Sequence, residues 1–324
     1  MRQISKTSKQ INAFADIVAG FLSLHNQAVD RVYHYTSAAA FLNILNTKEF
    51  WLTEHSYLRD YSEIAHGLKS LVEALDKRKG NQVVDLFYGG QSQLEKLALL
   101  TNLSYHTFIF SLSEDGDSKS QWSEYADDYR GVALGFDYDG FRSLLFEVQY
   151  AVNYTSDHLT KDYAERPIFS KVIYSDQDKL SLIEGILDRA IELSKALPKG
   201  TKKDDRVLRL RSIITDALFV VIKLISLFKN NSFEAEREHR IVMQYPMRGG
   251  MEIVSDLAAV DYRSRGNLIV PFHRLRLGHL EDLLTMVRVG PKYEDFKFIF
   301  TLGEVCQKHG FRKAKVEKSN IPIH

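Results

Sequence analysis

The run Glu236-Arg237-Glu238-His239-Arg240 has the residue types of a reactive strand. Alternate residues of an extended chain share a face, so Glu236, Glu238 and Arg240 are expected to project together. Two carboxylates on one face repel, which raises the pKa of at least one unless a cation offsets them, and Arg240 is placed to do so. A carboxylate held there stabilises a developing sugar cation more than its ground state, the role expected of Glu238. Glu236 would then activate an incoming acceptor. The competing reading is a solvated strand face with a local ion pair, which contributes little.

His34 stands at a strand end, where its ring could donate a hydrogen bond to a ribose hydroxyl or a phosphate while Thr36 caps the next turn; a satisfied structural histidine fits equally well. Ser111 and Ser113 share a strand face and could orient Glu238 and touch the sugar, although serine at a strand exit is often turn chemistry. Trp122 and Tyr125, one helical turn apart, offer an aromatic surface for a base, with core packing as the alternative. Glu63 and His66, following Asp60, have the i, i+3 spacing of metal ligands on a helix, but the second copy that a di-metal bundle needs is absent from the sequence. No metal site is expected on that ground. No phosphate-binding Gly-rich loop with Lys-Ser/Thr, dinucleotide fingerprint, His-Glu-x-x-His or serine nucleophile elbow occurs.

These residues need positioning elements. Periodicity predicts a leading helix over Ser8 to Gln27, a strand at Arg31 to Tyr35, and a helix from Ser37 to Asn46 with Ser37 as N-cap. An extended Glu49 to Thr53 precedes a helix from Tyr61 to Lys79, stopped by Gly80. A helix is expected around Leu94 to Leu100, then a period-two strand His106 to Ser113 leaving the core at the turn Glu114 to Asp117. A short helix follows at Ser120 to Asp127, and Gly131 to Phe136 reads as a buried strand whose glycines allow close approach of backbone or ligand. Extended runs are expected near Phe146 to Asn153 and Ile168 to Tyr174. Gln177 to Asn231 reads as two amphipathic helices. Strands return at Glu236 to Tyr245, Met251 to Val254, Leu268 to Phe272 and Met286 to Gly290, before a helix from Glu294 to Lys308. The fold class is therefore α+β, with mixed or antiparallel central sheets, flanking helices and a helical insertion at about 177–231. The expected organisation is an N-terminal helix over 1–30 and one α+β domain over 31–324.

With 324 residues and 44% hydrophobic content, the chain can bury a sizeable core. A formal net charge of +1 gives no broad basic excess for phosphate backbones. The turn around Lys199 to Lys203 with Arg206, Arg209 and Arg211 is a local basic patch that a solvated helix face explains. One cysteine, Cys306, excludes an intrachain disulfide and fits a packed thiol in a reducing, cytoplasmic setting. The apolar stretch Ala217 to Phe228, broken by Lys223, is shorter than the ~20 residues a bilayer-spanning helix needs, so no membrane contact is expected.

Several segments together resemble one bacterial family, the domain-of-unknown-function family 2971. They are Tyr33-His34-Tyr35-Thr36, Phe50-Trp51-Leu52 leading to Asp60 and Glu63, Phe110-Ser111-Leu112-Ser113 with Trp122 and Tyr125-Ala126, Gly131 to Phe136, Phe233 to Arg240, Val289-Gly290-Pro291 and Ser319-Asn320-Ile321-Pro322. The chain departs from the pattern at Arg59, where members often carry Asn, and at its last residue, His324. That family implies no activity by itself.

A more distant resemblance is to the ADP-ribosyltransferase superfamily, carried by the order His34, then Ser111 and Ser113, then Glu236 and Glu238. The long helical stretch between the second and third motifs departs from a compact member. The resemblance implies an ADP-ribosyltransferase-like core and NAD as substrate, held by His34, Tyr35, Thr36, Ser111, Ser113, Trp122, Tyr125 and Arg240. Glu238, Glu236 and His34 would be catalytic, transferring ADP-ribose to a protein or nucleic-acid acceptor or hydrolysing NAD, in a toxin or antiphage effector. Two other classes stay open. One is a metal-dependent nuclease using Glu236, Glu238, Asp60 and His34. The other is a binding or sensor module, with a homo-oligomer or partner protein engaged through the helical insertion.

Overall fold

The computed structural model describes residues 4–58, 62–86, 105–145, 167–198, 202–248, 252–253, 260–293 and 295–322. Helix α1 (Ile4–His25) leads to β1 (Arg31–Thr36), α2 (Ala38–Thr47) and β2 (Glu49–Glu54). Next come α3 (Ser62–Asp76), the short α4 (Gln82–Asp85), β3 (Tyr105–Ser113), α5 (Lys119–Tyr125), β4 (Val132–Asp137) and β5 (Ile168–Lys171). Two long helices, α6 (Asp176–Lys195) and α7 (Lys203–Ile225), precede a 3-10 turn (Asn231–Glu236). The chain then forms β6 (Glu238–Arg248), β7 (Glu252–Ile253), β8 (Val260–Arg265), β9 (Leu268–Arg276), α8 (Leu280–Leu283), β10 (Leu284–Val289), α9 (Phe296–Lys308) and β11 (Lys315–Lys318).

The fold is α+β, and its sheet is antiparallel except where β10 meets β11. Strand order is β11-β10-β4-β1-β3-β2-β9-β8, with β6 on the other edge of β3, and β5 and β7 beyond β6. The pairing at β3 splits the sheet. One edge of β3 is zipped to β6 from Tyr105↔Pro246 to Ser113↔Glu238. The other edge is shared: β1 touches it at Tyr33↔Ser113, and β2 at Thr53↔Ile109 and Glu54↔Phe108. Between these contacts both strands peel away, leaving Phe110 to Leu112 without a strand neighbour on that side. Helix α2 joins the two strands. It starts where Ser37 Oγ accepts the Ala40 N–H at 3.2 Å and stops at Lys48, in the left-handed region with φ 57°.

The period-two pattern of β3 divides two cores. Phe108, Phe110 and Leu112 enter one, with Phe50, Leu134, Phe136, Ile241 and α9 residues Leu302 and Cys306. Ile109 enters the other, with Val242 and the apolar faces of α3, α6 and α7. Each such apolar side chain stabilises the fold by about 1.5–3 kcal/mol on full burial. The helical layer thus covers the Ile109 face, while Ser111 on that same face is exposed. No helix among the described residues is long and apolar enough to cross a membrane.

Several expectations need correction. The strand expected from Glu236 begins at Glu238, because Glu236 ends a 3-10 turn and Arg237 turns left-handed with φ 45°. The strands at Val260–Arg265 and Lys315–Lys318 were not expected, since the first alternates poorly and the second is polar. Ser37, not Thr36, caps α2. The close backbone approach expected at Gly131 is present: a Cβ there would stand 2.1 Å from the Thr36 carbonyl oxygen. The elements expected around Leu94 to Leu100 and Phe146 to Asn153, and Lys199 in the basic turn, lie outside the described residues.

Candidate functional site

The split beside β3 opens into a cleft of about 1430 Å³, lined among others by His34, Ser111, Tyr125, Glu236, Glu238 and Arg240. Three segments far apart in sequence therefore meet. Tyr35 and Thr36 also reach its wall.

Ser111 faces Arg240 across the β3–β6 ladder, and Ser113 faces Glu238, so all four side chains share one sheet face. Glu238 is buried, and Arg240 grips it twice, Nε to Oε1 at 2.7 Å and Nη2 to Oε2 at 3.1 Å. Arg240 is itself anchored through Nη1 to the Ser226 carbonyl at 2.9 Å. Lys229 completes the cluster. Its Nζ donates to Glu236 Oε2 at 2.6 Å and to Glu238 Oε2 at 2.9 Å. The Glu238 N–H is bonded to the Tyr174 hydroxyl at 2.9 Å, which fixes the strand start.

This arrangement separates the two acids. Burial pushes Glu238 up, but the charges of Arg240 and Lys229 and their hydrogen bonds outweigh it and hold Glu238 well below its ordinary value. Glu236 goes the other way: burial raises it, Lys229 opposes, and the Glu238 charge adds to the rise. The two neighbouring carboxyl groups are thus pushed in opposite directions, Glu238 down and Glu236 up. Tyr125, partly exposed at the rim, is pushed up to about 12 by burial and then by the charge of Glu236.

His34 stacks on Phe110 at 4.2 Å between ring centroids, and Phe110 in turn on Phe50 at 4.4 Å. Its Nδ1 lies 3.0 Å from the Ser111 carbonyl oxygen, in the gap where β3 has no strand neighbour. A carbonyl only accepts, so Nδ1 carries the proton. Burial pushes the His34 pKa down to about 4, against the Ser111 carbonyl and helped by the Arg263 charge. At neutral pH the ring is therefore uncharged, with Nε2 as an acceptor. The expected donor to a ribose hydroxyl is thereby corrected to an acceptor.

Two expected site residues do not line the cleft. Trp122 is fully buried, its edge against Tyr35 at 4.9 Å and its Nε1 donating to Asp117 Oδ1 at 2.8 Å. The same Asp117 carboxylate accepts from Ser319 Oγ at 2.6 Å and the Asn320 N–H at 2.8 Å, so the segment at Ser319 and Asn320 clamps the turn after β3. Ser113 is buried, with Oγ donating to the Glu236 carbonyl at 2.7 Å and accepting the Asp115 N–H at 3.1 Å. Tyr35 lines the cleft, but its hydroxyl is engaged with the Asp115 carbonyl and the Ser118 N–H.

Sequence reasoning missed Lys229, Trp51 and Arg263 as cleft residues. Lys229 directly follows the apolar run ending at Phe228, a position where a long side chain can carry its charge back over a buried helix end. Trp51 stood inside one of the segments that carry the resemblance. Arg263 had no signal, because its strand was not legible.

Among the described residues no group of three or more His, Cys, Asp or Glu side chains is placed to hold a metal, and Asp60 lies outside them. Glu236 is held by Lys229, and Glu238 by Lys229 and Arg240.

No curated protein and no solved structure matches the chain. Residues 121–241, which carry Tyr125, Lys229 and the carboxylate pair, match the family described as Protein of unknown function (DUF2971), the family that the sequence motifs resemble.

Proposed function

We propose that the chain is an ADP-ribosyltransferase-like enzyme that uses NAD to modify a protein or nucleic-acid acceptor. One observation carries the reading: β1 and β2 part from β3 so that His34, Ser111 and a polarised carboxylate pair open into one cleft, roomy enough for a dinucleotide. In that reaction the bond between the nicotinamide nitrogen and ribose C1′ breaks, with its electron pair leaving on nicotinamide. The acceptor oxygen or nitrogen bonds to C1′ as its proton passes to Glu236.

The residues divide the work. Glu238, ionised and fixed by Arg240 and Lys229, supplies the negative field that favours an oxocarbenium-like sugar over the ground state. Glu236, with its raised pKa, is the better-matched base. His34 Nε2 accepts from a ribose hydroxyl, and Ser111, exposed in the gap, donates to the sugar or its substituents. Tyr125 offers a ring at the rim for the nicotinamide. A role as toxin or antiphage effector goes with this reading and rests on the family resemblance.

Incubation of the purified chain with NAD, following nicotinamide release and labelled ADP-ribose on cell extract, tests it. The expected result is release by the native chain, reduced at least about a hundredfold in Glu236→Gln. A folded native chain that releases no nicotinamide and labels nothing overturns it.

A further inference from the structure

The carboxylates occupy one side of β3, and a different chemistry occupies the other. Thr53 pairs with Ile109 on β3 and with Phe272 on β9, and Phe272 pairs with Asp261 on β8. Arg263 and Arg265 follow on that face of β8, and both line the same cleft as Trp51 and Thr53.

This wall has donors and positive charge in excess. Arg263 Nη2 donates to the Thr53 hydroxyl at 2.7 Å, and Arg265 to the Tyr57 carbonyl. Neither has a carboxylate partner among the described residues, whereas the neighbouring Arg274 pairs with Asp261 and Glu49. The Arg263 guanidinium lies 5.7 Å from the Trp51 ring centroid, a contact that leaves its edge for in-plane ligands. Arg263 Nε and Trp51 Nε1 are buried N–H groups with no acceptor. Burial and the charge of Arg265 both act against the Arg263 cation, and no carboxylate among the described residues offsets them.

We propose that Arg263, Arg265 and Trp51 form a binding site for the phosphate oxygens of a ligand, a phosphomonoester or pyrophosphate dianion, at the end of the cleft away from Glu236 and Glu238. The two guanidinium groups, beside the Trp51 ring, present only donors, in the planar geometry that matches a tetrahedral oxyanion two bonds at a time. Arg263 also depresses the His34 pKa, so an anion bound there relieves part of that depression. The assignment deepens the nucleotide reading of the cleft and rests on it only for which molecule carries the phosphate.

Calorimetric titration of the full chain with inorganic pyrophosphate, ADP-ribose and nicotinamide riboside tests the site. Pyrophosphate and ADP-ribose are expected to bind and to lose about tenfold or more in affinity in Arg263→Gln and in Arg265→Gln. The exposed Arg265 keeps the test valid if Arg263→Gln fails to fold. Absence of pyrophosphate binding, or equal binding by native chain and Arg265→Gln, overturns the proposal. Binding of ADP-ribose but not pyrophosphate overturns an independent oxyanion site, and undiminished NAD cleavage in both arginine variants overturns its role in the nucleotide cleft. Pyrophosphate binding without any nicotinamide release leaves this site standing and removes the transferase reading instead.

Discussion

Lys229 Nζ stands 2.6 Å from Glu236 and 2.9 Å from Glu238, so one buried ammonium ties a turn residue to a strand residue and keeps two acids in one site. Arg240 neutralises Glu238 from the other side. Removing one partner from a buried ionic cluster leaves charge uncompensated, which typically costs about 3–5 kcal/mol. Lys229→Met is therefore expected to lower the unfolding free energy from urea titration by a corresponding amount. A free energy within about 0.5 kcal/mol of the native chain would mean that the cluster is solvated.

His34 should titrate far from an ordinary histidine. Its folded pKa, about 4, lies below the unfolded 6.5, so its contribution to stability is complete above about 6.5 and is lost as pH falls through 4. Nitrogen-detected NMR is expected to find the Nδ1–H tautomer and no imidazolium at pH 6. A midpoint near 6.5 for that ring would refute the partly buried, Ser111-bonded geometry.

Acid sensitivity has a second source in Glu114, which bridges His239 at 3.0 Å and Lys171 at 2.8 Å. Burial raises its pKa, but these partners outweigh burial and hold it at about 2 in place of 4.5. A depressed carboxylate stabilises above its unfolded pKa, so this contribution, up to about 3 kcal/mol, disappears between about pH 4.5 and 2. Glu114→Gln should flatten the stability profile over that window in denaturant titrations; an unchanged slope counts against the bridge.

Trp122→Phe separates support from ligand contact. The substitution keeps the ring against Tyr35 but removes the donor to Asp117, at an expected cost of about 1–3 kcal/mol. Thermal unfolding should register that loss while pyrophosphate affinity stays unchanged. A variant of native stability with weakened ligand binding would restore Trp122 to the cleft wall.

Gly131→Ala is expected to be among the most disruptive small changes. Its Cβ would stand 2.1 Å from the Thr36 carbonyl oxygen and 2.9 Å from Ala126, both backbone, and the Gly290 N–H bonds the Gly131 carbonyl at 2.9 Å. Circular dichroism melting should show a large fall, and a melt like that of the native chain would show that this junction can open.

By itself the sequence determined what repeats along the chain. The alternation of Phe108, Ile109, Phe110, Ser111 and Leu112 specifies a strand with two faces, and the long apolar periods of α6 and α7 specify buried helices, because local geometry imposes those periods. The order of His34, Ser111 and the Glu236–Glu238 pair was also legible, as was Arg240 as a counter-charge. Tertiary structure alone decided which of these meet and with what charge. Glu236 reaches the site from a turn, not a strand, because Arg237 reverses the chain with φ 45°. Lys229 folds back from just before the turn onto both acids, Arg263 joins from a strand whose Thr53 contact lies far along the chain, and Trp122 and Ser113 turn inward as supports. Such outcomes depend on long-range pairing at the split edge of β3 and on burial, which shift each group's ionisation through neighbours that no local pattern names.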